Sequence, residues 1–217
     1  MFDTNWDLIS GDVAHEIEVL NQSSQINLIE ALVRFFLHHY ANDSEQSAQH
    51  HPNQNALREL HRTATFLLLA KPGIYRDGPV HLAKEDGTVV YVPPSAEEVE
   101  GHMDRLFGQI SERWMNSIPV EMGAFTLWLI NWVHPFKNGN GRTARAFCYT
   151  CICLRMGFVL PGAPTVLELI KMNDDEYQSA LRVADAGYNA TGEPDLSAMN
   201  DFIERLLIEQ LSSAVGD

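Results

Sequence analysis

Residues 134 to 145, His134-Pro135-Phe136-Lys137-Asn138-Gly139-Asn140-Gly141-Arg142-Thr143-Ala144-Arg145, limit what this chain can fold into more than any other stretch. They end an apolar, aromatic, helix-like run from Ala124 to Val133 and open another from Arg145 to Met156, so a helix, a glycine-broken loop and a second helix meet there. Pro135 disfavours the helical region for the residue before it, which puts His134 at or near the end of its helix with the ring projecting. Gly139 and Gly141 bracket Asn140, and these residue types visit left-handed backbone at low cost. The chain can then curl so that successive N–H groups point at one spot. At the start of a helix, whose first N–H groups lack partners, such a nest is an anion site. Arg142 and Arg145, three apart on the first turn, share a face and add two guanidinium forks suited to phosphate oxygens. Cations there oppose the helix dipole, so the arrangement costs stability until an anion joins it. The expectation is a polyphosphate cradle beside a histidine able to take a proton.

Charge narrows the partners. The 217 residues carry 29 acids against 15 bases, a formal net charge of −14, which argues against nucleic acid and against anionic membranes as partners. Two arginines gathered in an acidic chain point to a specific anion. No run approaches the length of a membrane span and the N-terminus lacks a secretory pattern, so a soluble, non-secreted, cytoplasmic protein is expected. Cys148, Cys151 and Cys153 fall in one predicted helix, are odd in number, and read as buried small hydrophobes rather than a disulfide or zinc set. The pairs His38-His39 and His50-His51 lack a ligand-like spacing and read as solvated or partly packed.

Taken in order, residues 1 to 12 read as a loose or lightly docked segment, and Val13 to about Tyr40 as helical with a break at Asn21 to Ser24. Ala41 to Asn55 reads as a loop and 54 to 70 as a helix stopped by Pro72-Gly73. Val80 to Ala83 and Val89 to Val92 flank Asp86-Gly87, the signature of a two-residue hairpin turn. A lone hairpin is marginal in water and must lie on the helical body. Ser95 caps a helix to about Glu112, and Pro119 starts the helix that delivers His134. After the motif helix come Thr165 to Met172, Asn173 to Ala186, a loop over 187 to 194, and a last helix from Asp195 to about Ser213. The expected fold is all-α, a helical bundle with one β-hairpin, in a single domain whose N-terminal segment (1–54) precedes a core (55–217).

His-Pro-Phe-x-x-Gly-Asn-Gly-Arg-x-x-Arg, eight fixed positions over twelve residues, resembles the signature of the Fic/Doc family. The resemblance spans roughly residues 55 to 207 and implies a Fic-like bundle with a hairpin flap. It also implies transfer of AMP from ATP onto a Tyr, Thr or Ser hydroxyl of a target protein. His134 would be the general base, Gly139, Asn140 and Gly141 would hold phosphates through backbone N–H groups, and Arg142 and Arg145 would neutralise the leaving pyrophosphate. The flap over 80–92 would hold the target by strand addition.

The sequence departs from the family pattern at two places. Where the family has an acid that binds Mg²⁺ on the nucleotide, this chain has Asn138, a neutral oxygen ligand, so Mg²⁺ or Mn²⁺ would be held weakly. Three outcomes stay open: AMP transfer with metal held mainly by ATP, transfer of a phosphoryl or another phosphate-linked group, or a catalytically weak nucleotide-binding module. In AMP-transferring relatives a Tyr-Tyr pair and an Asn eight residues after the first Tyr help hold adenine. Tyr177, followed by Gln178, and Asp185 take those places here. The family's inhibitory Ser/Thr-x-x-x-Glu-Gly/Asn motif has no clean match, since the one Glu-Gly is Glu100-Gly101 with Ala96 four residues earlier. The chain is therefore unrestrained, or a separate inhibitory protein supplies the acid, or a diverged helix does.

Overall fold

The computed structural model describes residues 6–41, 51–84 and 86–215. Eight helices are formed among them: α1 (Gly11–Ala41), α2 (Gln54–Ala64), α3 (Val99–Arg113), α4 (Pro119–Val133), α5 (Asn140–Met156), α6 (Val166–Met172), α7 (Asp174–Thr191) and α8 (Ser197–Ser213). One antiparallel hairpin, β1 (Leu82–Ala83) and β2 (Val89–Tyr91), interrupts the order between α2 and α3. This is the all-α architecture with a single hairpin.

The two helices joined by the motif loop are the structural centre. α4 packs most extensively on α5, α3 and α8 cover α4, and α1 and α2 cover α5. α4 starts at Pro119, where a missing N–H costs nothing, and its residues from Met122 to Ile130 are all buried. Burial all round explains why it reads as a continuous apolar run rather than an amphipathic stripe. Cys148, Cys151 and Cys153 of α5 are free and buried, as expected for small hydrophobes, and burial pushes their thiols above the usual range.

Several boundaries differ from the expectations above. α1 runs unbroken through Asn21 to Ser24, because the Ser23 and Ser24 hydroxyls donate back to Val19 O and Leu20 O within the helix while Asn21, and Gln25 beyond, fasten it sideways. Asn21 donates to Ala64 O and Phe66 O (3.4 and 2.8 Å), and Gln25 donates to Leu60 O (2.9 Å). The segment before α1 is docked: Trp6 is 9% exposed, and the N–H groups of Asp7 and Leu8 both donate to Leu68 O. α2 ends at Ala64, six residues early, where Thr65 turns its hydroxyl and its N–H back to His61 O. The hairpin strands are shorter and their register shifts between Leu82 and Ala83. Gly87, at φ +84°, donates to Lys84 O, which makes the turn wider than two residues. α7 continues past Ala186 through Gly187, a glycine that reads as a breaker. A Cβ there would sit 2.5 Å from Asp195 N, so Gly187 serves the close approach of the start of α8. The expected loop from Ala41 lies outside the described residues from 42 to 50.

Candidate functional site

His134 caps the C-terminal end of α4 in left-handed backbone, φ +51° and ψ +58°, and its N–H still donates to Ile130 O at 2.9 Å. For a non-glycine residue that conformation costs about 1–2 kcal/mol, so its surroundings must hold it. Pro135 makes the helical alternative unfavourable. The ring Nδ1 lies 3.4 Å from Asn131 O. A carbonyl can only accept, so this contact favours the proton on Nδ1, the tautomer in which Nε2 is the basic nitrogen.

The loop after it is held from inside. Phe136 is fully buried, stacked on His61 with ring centres 3.7 Å apart and tilted against Tyr75 at 5.3 Å. Asn140 is 1% exposed and its amide closes a ring on Phe136, accepting from its N–H and donating to its O, each at 2.8 Å. The Asn140 side chain is therefore a staple, and only its backbone is left for a ligand. Gly139 is the N-cap of α5 at φ +77°. A Cβ there would come within 2.7 Å of Thr65 Cγ2, so both backbone angle and space demand glycine.

Two side chains without a role in the sequence reading support this loop. His61 is fully buried on α2, its Nδ1 accepts from Gly73 N–H at 2.8 Å, and its Nε2 therefore carries the proton that goes to Asn138 O at 2.9 Å. Burial pushes its pKa down to about 4. Its place among Leu57, Leu60 and Ala64 on the apolar face of α2 is the signal that marks it as buried. Arg76, just before the hairpin, reaches the carbonyl of His134. Its partners are main-chain atoms distant in sequence, which no local pattern exposes.

Beside the start of α5 lies a cavity of about 330 Å³, lined by Gly139, Gly141, Arg142 and Arg145, by His15, Glu18, Gln22 and Gln25 of α1, and by Leu167 and Lys171 of α6. The structure thus brings Gly139, Gly141, Arg142 and Arg145 together, with Lys171 as a third cation, while Asn140 and His134 are not among the lining residues. α1 places one acid among them. Glu18 lies 3.8 Å from Arg142, accepts from Trp6 Nε1 at 2.6 Å, and the Trp6 ring lies 4.7 Å from the Arg142 guanidinium carbon. Lys137 is paired with Asp7 of the same N-terminal segment.

Tyr177 and Asp185 do not line this cavity. Tyr177 is 2% exposed, stacked on Phe202 with ring centres 6.3 Å apart, and so is a core residue rather than an open wall for a base. Asp185 accepts from Trp128 Nε1 at 2.9 Å, and burial raises its pKa. Trp128 belongs to a second, aromatic cavity of about 180 Å³ whose lining includes Trp132, Tyr188, His102, Arg105 and Arg113. Trp132 stands two residues before His134, so the chain passes from one cavity to the other through the candidate base.

The residues around Asn138 do not fit a resident metal ion. Its Oδ1 accepts from Gly139 N–H at 2.6 Å, and its motif neighbours are glycines and arginines. Among the described residues no group of three or more His, Cys, Asp or Glu side chains is placed to share an ion. Nor is any described helix long and apolar enough to cross a membrane.

Residues 51–152 match the model of the Fic/DOC family. Two relatives are protein adenylyltransferases: the Fic protein of Nematostella vectensis, 30% identical over 89 residues, and fic-1 of Caenorhabditis briggsae, 29% identical over 174 residues. The matches cover 41% and 77% of this chain but only 19% and 30% of those relatives. Among solved structures, a Fic domain containing signaling protein from Bacteroides thetaiotaomicron superposes with a TM-score of 0.68 at 24% identity, over 92% of this chain and 72% of that one. The Caenorhabditis elegans Fic-1 (residues 134–508) gives 0.59 at 24%, over 87% and 49%. These structures share the fold.

Proposed function

We propose that this chain, whose residues 51–152 match the Fic/DOC family model, is a Fic enzyme that transfers AMP from ATP to a Tyr, Thr or Ser hydroxyl of a target protein. The observation that carries the reading is the convergence of Arg142, Arg145 and Lys171 on one cavity at the glycine-built start of α5, with His134, held in left-handed backbone, at the other end of the same loop. A cavity with three cations and backbone N–H groups suits linked phosphates. The aromatic cavity lined by Trp128, Trp132 and Tyr188 suits the base of the same donor, a feature that favours a nucleotide over a bare phosphate.

In this reading the target hydroxyl oxygen attacks the α-phosphorus, its proton goes to His134 Nε2, and the bond to the bridging oxygen of the β-phosphate breaks. Pyrophosphate leaves with its charge met by Arg142 and Arg145. The hairpin holds the target segment, tied to α4 by the Tyr91 hydroxyl, which donates to Trp132 O at 2.5 Å. No step is routed through a protein-held metal, and any Mg²⁺ or Mn²⁺ comes with the ATP phosphates.

Restraint comes from within the chain in this account. Glu18 of α1 competes with a phosphate for Arg142, which makes α1 a diverged form of the inhibitory helix and removes the need for a separate inhibitory protein. A second reading, a nucleotide-binding module with weak catalysis, is favoured by the local hydrogen bond of Asn138 Oδ1. ATP labelled at the α-phosphate and, separately, at the γ-phosphate distinguishes them. Protein labelled only from the α-position, and lost in His134→Ala with nucleotide affinity within about twofold, is the expected result. Label from the γ-position alone would mean phosphoryl transfer, and binding without label the weak module.

A further inference from the structure

Arg76 is 7% exposed, yet none of the charge it carries meets a carboxylate in its described hydrogen bonds. All four acceptors of its guanidinium are main-chain carbonyls. Nε donates to His134 O at 2.8 Å, one terminal nitrogen to Gly78 O at 3.2 Å, and the other to Pro94 O at 2.5 Å and Val133 O at 3.3 Å. Its backbone N–H donates to Pro135 O at 2.9 Å. Gly78 lies on the stem leading into the hairpin and Pro94 on the stem leaving it. Val133 and His134 form the negative end of α4, where a cation is favoured. A planar fork with five fixed donors can satisfy carbonyls from three segments at once, and an ammonium cannot reproduce that geometry.

We propose that Arg76 is a positioning residue for the transfer. It fixes the left-handed backbone of His134 and locks both hairpin stems to that same point, so the strand held by the flap and the base that acts on it share one register. The inference rests on the reading of His134 as the base. It predicts a division of labour: the phosphate loop is held by His61 and Asn140, so disturbing Arg76 should spare nucleotide binding and harm the step that uses His134.

The test is Arg76→Lys in the full chain, assayed for transfer and followed through the ¹⁵N ring resonances of His134 and the amide of Gly139. The expected result is a fall in kcat on the order of 10- to 100-fold with KM for ATP within about twofold, displaced His134 ring signals and an unmoved Gly139 amide. Unmoved His134 signals, or an ATP affinity that falls in step with kcat, would overturn the proposal. The ring signals are read without turnover, so they decide the role of Arg76 even if the wild type transfers nothing. Should Arg76→Lys fail to fold, Tyr91→Phe decides instead. It cuts the other tie between flap and α4 while Arg76 still holds both stems, so His134 signals should stay in place, and their displacement would contradict the assignment.

Discussion

The imidazole of His61 has no room for a second ring proton. Gly73 N–H already uses Nδ1 as acceptor, the ring is fully buried against Phe136, and Arg142 and Arg62 add unfavourable charge nearby. Burial is the largest cause of a folded-state pKa near 4, below the ordinary value of 6.5. The sign follows. Above pH 6.5 the ring is neutral folded or unfolded, and its contribution is intact. As pH falls from 6.5 towards 4 the unfolded chain takes up a proton that the folded chain refuses, and stability is lost. The loss should be on the order of 2–3 kcal/mol between pH 7.5 and 4.5. Urea unfolding at the two pH values should show His61→Gln losing correspondingly less than the wild type, and equal losses would contradict the assignment. His61 and Arg76 also show what a sequence conceals at this scale. The motif residues announce themselves because glycine, histidine and arginine at fixed spacing have few alternative uses. A side chain whose partners are carbonyls of distant residues leaves no such trace.

Among the elements, α1 departs most from the sequence reading, and it changes the account most. Its polar residues from Asn21 to Ser24 read as a break. They lie within an unbroken helix, where Asn21 and Gln25 make lateral hydrogen bonds to α2 and the turn after it. The same helix brings His15, Glu18 and Gln22 to the cavity at the start of α5. In the proposed account Glu18 is the acid of a diverged inhibitory helix, a carboxylate that α1 presents to Arg142 by position and not by pattern. Trp6 holds it there by donating to Glu18 and stacking on Arg142. Glu18→Gln keeps that shape and removes the charge. It should tighten ATP binding about fivefold, corresponding to about 1 kcal/mol, as read by calorimetry. An unchanged affinity would mean that α1 only covers α5. The short hairpin and the extension of α7 are differences of another kind. A bulge and a glycine required by close packing are set by neighbours that local sequence does not name.

Across the whole molecule, the proposed function rests on an apolar pair, α4 and α5, surrounded by elements that each hold one part of the candidate site. α2 supplies His61, α6 supplies Lys171, α1 supplies Glu18, and the hairpin is tied through Arg76 and Tyr91 to the end of α4. The fold class was legible from hydrophobic periodicity, and the gathering of Gly139, Gly141, Arg142 and Arg145 at one cavity from one dense motif. The surroundings of Tyr177 and Asp185 were less legible, since Tyr177 is packed in the core and Asp185 bonds to Trp128, which lines the aromatic cavity and not the one at the start of α5. The central claim is that the bend between α4 and α5 grips linked phosphates beside His134. A crystal of Glu18→Gln grown with a non-hydrolysable ATP analogue tests it directly. The account predicts β- and γ-phosphates between Arg142 and Arg145, with the α-phosphate facing the Nε2 side of His134. Analogue bound elsewhere with that bend empty, or the His134 ring turned into the interior, would contradict it.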